Sequence, residues 1–132
     1  MSRPRAGGTS RRQARRAALV LLFQWDVTGQ DLGSLYGGDV DPWALALARE
    51  VCADAARLDA AIGEYAEDWS ADRLGAVERN VLRIALKELE KGDVPMEVAI
   101  DEAVRLSKRY ASDDAAKLVN GILGRAVRER VA

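Results

Sequence analysis

Residues 70–92 read SADRLGAVERNVLRIALKELEKG. Leu74, Val77, Val81, Leu82, Ala85 and Leu89 recur at steps of three and four. At about 100° per residue such positions share one side of an α-helix. Ser70 offers a hydroxyl for the N-cap, and Gly92 supplies the left-handed residue that commonly ends a helix. Glu78, Arg79, Arg83, Lys87 and Glu88 occupy the positions between. An amphipathic helix with one buried side is the expectation, and the flanking sequence repeats the pattern in both directions.

Toward the N-terminus, Asp41-Pro42 joins a capping carboxylate to a proline at the first helical position. Leu47, Val51, Ala55, Leu58, Ile62, Tyr65 and Trp69 follow at helical spacing, which predicts two helices broken near residues 56–59. Gly29, Gly33, Gly37 and Gly38 mark residues 29–40 as a loop with one short turn around Leu32–Tyr36. Before it, Ser10 can cap a helix that reaches Thr28 and is closed by Gly29. Toward the C-terminus, Pro95 restarts a helix with the stripe Ala99, Ala103, Leu106 and Tyr110. Asp113 or Asp114 is predicted to cap a last helix carrying Val119, Ile122, Leu123 and Val127. No alternating strand pattern competes anywhere. The chain is therefore expected to be all-α, with five to seven helices in a single domain over residues 10–132 behind a flexible basic tail at 1–9.

Composition narrows the chemistry. The chain has no histidine and one cysteine, Cys52, so neither a histidine triad nor a thiolate metal cage can be built. The acidic pairs Glu67-Asp68, Asp101-Glu102 and Asp113-Asp114 read as solvated faces and caps rather than acid–base machinery. Gly7-Gly8 and Gly37-Gly38 lack the context of a phosphate-cradling loop. The longest apolar run, Ala17–Trp25, is interrupted by Gln24 and is too short to span a bilayer. A cytoplasmic protein without enzymatic activity, cofactor or metal is expected.

The net charge of -1 conceals a segregated distribution. Six arginines, Arg3, Arg5, Arg11, Arg12, Arg15 and Arg16, precede the first acid, Asp26. Residues 26–72 carry two basic and eleven acidic side chains. Segregation of this kind speaks about partners rather than fold. On a helical wheel the first helix places Ala14, Ala17, Ala18, Leu21, Leu22 and Trp25 on a buried stripe. Arg11, Arg12, Arg15 and Arg16 lie to one side, joined there by Leu19 and Phe23. One reading packs Leu19 and Phe23 beneath another helix and leaves the arginines merely solvated. The other makes the line Arg12, Arg16, Leu19, Phe23 a surface for single-stranded nucleic acid, with guanidinium groups on phosphates and a ring stacked on a base. A basic helix also suits an anionic membrane or an acidic protein.

Val77-Glu78-Arg79, Leu82-Arg83, Glu88-Leu89, Asp93-Val94-Pro95, Ile100-Asp101-Glu102-Ala103 and Lys117-Leu118-Val119-Asn120-Gly121 stand in an order that resembles the NusB family of transcription antitermination factors. Together with the Arg11–Arg16 cluster leading into Leu22-Phe23-Gln24, the resemblance covers about residues 10–127. It implies about seven helices in two small sub-bundles. It also implies binding of the single-stranded boxA element of ribosomal RNA transcripts, in company with the ribosomal protein NusE, within an RNA polymerase antitermination complex. Arg11, Arg12 and Arg15, beside Arg16, would form the arginine-rich RNA motif, with Phe23 where the family usually has tyrosine. Tyr110, Asp114, Lys117 and Leu118 match a second RNA patch, Leu118 standing where phenylalanine is usual. Glu78 matches the partner-contacting glutamate, with Arg79 and Arg83 beside it.

Independently of the family, Gly121 and Gly124 inside a helical pattern suggest close helix approach, with Asn120 tying down a neighbouring loop. Glu78 can also be read as the solvated flank of its helix. Two other functions compete: a protein-only adaptor whose arginines dock an acidic partner, and an RNA-binding module like the accessory domain of ribosomal RNA cytosine methyltransferases.

Overall fold

A computed structural model describes residues 10–67 and 69–131, with side chains through Glu129; the basic tail expected at 1–9 lies outside these. The described chain forms six α-helices and no strand. They are α1 (Arg11–Thr28), α2 (Pro42–Ala53), α3 (Ala55–Tyr65), α4 (Ala76–Lys91), α5 (Met96–Tyr110) and α6 (Asp113–Val131), with 3₁₀ turns at Leu32–Ser34 and Ala71–Arg73.

Local chemistry explains most boundaries. Ser10 and Gln13 form a reciprocal capping box at the start of α1, and Gly29 closes it at φ 72°. The Asp41 carboxylate accepts from the backbone N–H groups of Trp43 and Ala44, with Pro42 at the first helical position. Gly92 ends α4 at φ 71°. Three boundaries differ from expectation. The α2–α3 break falls at Asp54, earlier than residues 56–59. Ser70 starts the 3₁₀ turn rather than α4, whose N-cap is Gly75. Ser112, not Asp113 or Asp114, caps α6, accepting from the Ala115 N–H at 3.0 Å.

The helix read from residues 70–92 is the hub of the fold. α4 packs against every other α-helix, while α1 also meets α2 and α5 lies along α6. Its Val81, Leu82, Ile84, Ala85 and Leu86 are all buried. They meet Leu22 of α1, Leu47 and Val51 of α2, Leu58 and Ile62 of α3, and Val119 and Leu123 of α6 in one continuous core. Truncating a leucine in such a core to alanine costs roughly 2–5 kcal/mol.

Charges reinforce the hub. Asp26 of α1 accepts from Arg79 Nε at 2.8 Å, Asn80 Nδ2 at 2.9 Å and Arg83 Nη1 at 3.1 Å. Arg83 also grips Asp59 of α3 through Nε and Nη2, both at 2.7 Å. Arg79 Nη1 donates to the carbonyls of Ala71 and Leu74, fixing the turn before α4. At α6 the glycine expectation fails: a methyl group added at Gly121 would meet nothing within 4 Å, and Asn120 is exposed. At Gly124 an added methyl would meet only the Arg128 side chain of the same helix, at 3.3 Å, so neither glycine marks a helix contact and the α6 packing is carried by Val119, Ile122, Leu123 and Ala126.

Candidate nucleic-acid interface

The exposed line of α1 runs Arg12, Arg16, Val20, Phe23 and Val27, with Arg16 the least exposed of these. Leu19, expected on this line, is only 3% exposed. The single-stripe wheel underestimates burial because α1 is flanked by two helices, α2 and α4, which widens its covered arc. Arg15 is drawn inside for the same reason. Its Nε and Nη2 donate to the two carboxylate oxygens of Glu88, each at 2.8 Å, and both residues are buried. Arg15, which the resemblance placed in the RNA motif, is therefore held inside the fold by Glu88. Arg11 lies over the Trp43 ring, 4.5 Å from its centroid, with Arg15 at 5.4 Å from the same centroid.

Arg12 and Arg16 instead face α5. Between the two helices lies an open cleft of about 730 Å³, lined on the α5 side by Asp101, Arg105, Lys108 and Arg109. Five cations thus line the cleft against the exposed acid Asp101, while the buried Glu102 pairs with two of them, Arg12 and Arg105, from behind. Arg105, Lys108 and Arg109 were not singled out from the sequence. Their signal was available: spacings of three and four place them on one side of α5. What sequence could not reveal is that this side confronts Arg12 and Arg16.

Farther along α1, the surface changes character. Leu19, Val20, Phe23, Gln24, Val77 and Tyr110 line an apolar depression of about 350 Å³ between α1, the start of α4 and the end of α5. Phe23 is 38% exposed and Tyr110 39%, so each ring offers a face while its body rests on the protein. Arg109 lies over the Tyr110 ring at 5.5 Å. The cationic cleft and the aromatic depression both run along α1 and adjoin at the end of α5, where Arg109 of the first lies over the Tyr110 ring of the second.

The electrostatics keep the charges formed. Burial works to raise the Glu102 carboxyl, but Arg12, Arg105 and Arg15 outweigh it and hold it below the usual glutamate value. Among the described residues no group of three or more histidine, cysteine, aspartate or glutamate side chains could hold a metal ion. No described helix is long and apolar enough to cross a membrane.

The NusB family model matches residues 12–128, nearly the whole described chain. The chain belongs to the NusB family. The transcription antitermination protein NusB of Saccharopolyspora erythraea is 40% identical over 88% of this chain and 85% of its own length. That of Solibacter usitatus is 36% identical over 91% and 90%. Among solved structures, T. maritima NusB superposes with a TM-score of 0.81 at 37% identity, covering 92% of each chain. A structure of the antitermination factors NusB and NusE in complex with dsRNA matches with a TM-score of 0.79 at 29% identity, over 90% of this chain and 96% of that one. NusB proteins are transcription antitermination factors, not enzymes.

The remaining residues that the NusB resemblance singled out are dispersed. Asp114 and Lys117 are exposed on the first turns of α6, just beyond Tyr110, whereas Leu118 is half-buried and packs on the core. Glu78 is half-buried at the start of α4. Its carboxylate leans back over the helix N-terminus, where a methyl group added at Gly75 would come within 2.7 Å of Oε1. Arg79 and Arg83, expected beside it in a partner interface, are committed to Asp26, Asp59 and backbone carbonyls inside the fold. Of the three, Glu78 alone takes no part in these ion pairs.

Proposed function

We propose that the protein is an antitermination factor that binds boxA-type single-stranded RNA of ribosomal RNA transcripts together with NusE, promoting read-through by RNA polymerase. The observation that carries this reading is the junction of a five-cation cleft with an aromatic depression. Cations alone bind any polyanion, but two partly exposed rings beside them suit splayed bases, which a duplex keeps stacked. The relatives' antitermination role, matched along 85–90% of their own lengths, favours this reading over the methyltransferase accessory module. The solved NusB–NusE assembly supports NusE as the partner.

The test is a fluorescence titration of short uridine- and adenine-containing RNA, single-stranded and as a duplex, at several salt concentrations. If four cleft cations each neutralise a phosphate, log K falls with log salt at a slope near -3, from about -0.7 per contact on single strands. The single strand should bind more tightly than the duplex. A flat salt dependence would defeat the reading. In parallel, calorimetry with NusE tests Glu78: Glu78→Lys should cost that complex a few kcal/mol if the contact is desolvated, while RNA binding by the isolated protein does not weaken.

A further inference from the structure

Behind the cleft lies one buried carboxylate whose two arginine partners, Arg12 and Arg105, line it. Glu102, in the second turn of α5, has a side chain 8% exposed, whereas Arg12 keeps 54% of its side chain in solvent. Glu102 accepts from Arg12 Nε at 3.2 and 3.3 Å on its two oxygens, and from Nη2 at 3.1 Å. Arg105 Nε lies 3.4 Å from the same carboxylate.

A guanidinium has two edges that can each grip an anion, Nε with one Nη, and the two Nη groups together. Glu102 occupies the first edge of Arg12. Among the described residues nothing accepts from Nη1, and Arg12 lines the cleft, so the second edge stands open there. We infer that Glu102 is a positioning residue for RNA, holding Arg12 by one edge so that the other is presented to a backbone phosphate in the α1–α5 cleft. This rests on the RNA reading above and names how one of its contacts is prepared. The rival role, a carboxylate that competes with phosphate for Arg12, fits the geometry poorly. Phosphate can reach the open edge without displacing Glu102, and displacing it would strip a buried carboxylate of its closest partner.

The advantage is conformational. A free arginine side chain pays for its ordering when it meets a phosphate, and an arginine already held does not; for one such side chain the difference is roughly two- to twelvefold in affinity. Glu102→Gln keeps the shape but puts an amide where the second oxygen receives Arg12, and it should weaken single-stranded RNA binding by that factor, although it removes a negative charge from the cleft. Arg12→Lys keeps the charge without the second edge and should lose a similar factor. The deciding comparison is a double-mutant cycle, in the full chain, read by fluorescence titration. In an Arg12→Ala background Glu102→Gln should cause no further loss.

Three results would overturn the inference: Glu102→Gln binding more tightly than the unsubstituted protein, Glu102→Gln binding unchanged, or an equal loss in both backgrounds, the last being the mark of a purely structural residue. Circular dichroism on each variant registers folding separately, and Arg12→Lys supplies an arm that leaves Glu102 in place. If the unsubstituted protein fails to bind RNA, the broader reading falls and this inference with it. If it binds and the cycle shows no coupling, only the inference falls.

Discussion

Arg15 gives the sharpest contrast between an RNA-facing arginine and a structural one. Arg15→Ala leaves the Glu88 carboxylate, with a side chain 5% exposed, without the guanidinium that meets both its oxygens at 2.8 Å. Breaking a buried, bidentate pair by removing one partner costs about 3–5 kcal/mol, because the remaining charge is uncompensated. For a domain of this size each kcal/mol shifts the melting temperature by about 4 °C, so the midpoint should fall by about 12–20 °C. Thermal and urea unfolding followed by circular dichroism measure the loss. RNA titration below the lowered midpoint should give an affinity within about twofold of the unsubstituted protein, because no cleft cation has been removed. Replacing the pair together, as Arg15→Met with Glu88→Leu, should recover most of the stability. An Arg15→Ala protein that melts normally but loses RNA affinity and salt dependence would refute this reasoning and return Arg15 to a phosphate.

Phe23→Ala should weaken single-stranded RNA binding by roughly 1–3 kcal/mol with little change in melting temperature, since the ring is 38% exposed; a stability loss of roughly 3–5 kcal/mol would mark it as a core residue instead. For Asp26, burial pushes the carboxyl upward but Arg79, Asn80 and Arg83 outweigh it and hold it below the ordinary value of 3.8. Its stabilisation is thus complete above that value and lost as pH falls through the depressed native one, so Asp26→Asn should cost about 1.5–3 kcal/mol at pH 7 and its urea midpoint should converge with that of the unsubstituted protein in strong acid. Gly121→Ala should stabilise the protein by about 0.5–1 kcal/mol in urea unfolding, because the added methyl group meets nothing within 4 Å in mid-helix.

Taken alone, the sequence determined the helical class, the phase of each helix and most of its stops. Those signals are local: Ser10 and Gln13 close a capping box within one turn, Asp41 caps its own helix, and Gly29 and Gly92 accept a left-handed backbone that other residues resist. The order of short motifs was likewise legible as family membership, because it needs no knowledge of who touches whom. What tertiary structure decided is which cations face water. Arg12 and Arg15 are three residues apart on one helix, and no local rule separates them. Arg15 points at α4, where Glu88 waits, and Arg12 points across a cleft at α5. Arg79 and Arg83 looked like surface charges beside Glu78 until Asp26 and Asp59, brought from α1 and α3, enclosed them. The same packing set Arg105, Lys108 and Arg109 opposite Arg12 and Arg16, and Tyr110 beside Phe23. A charge is buried or exposed according to the neighbours that long-range packing delivers, and that geometry is absent from any short window of sequence.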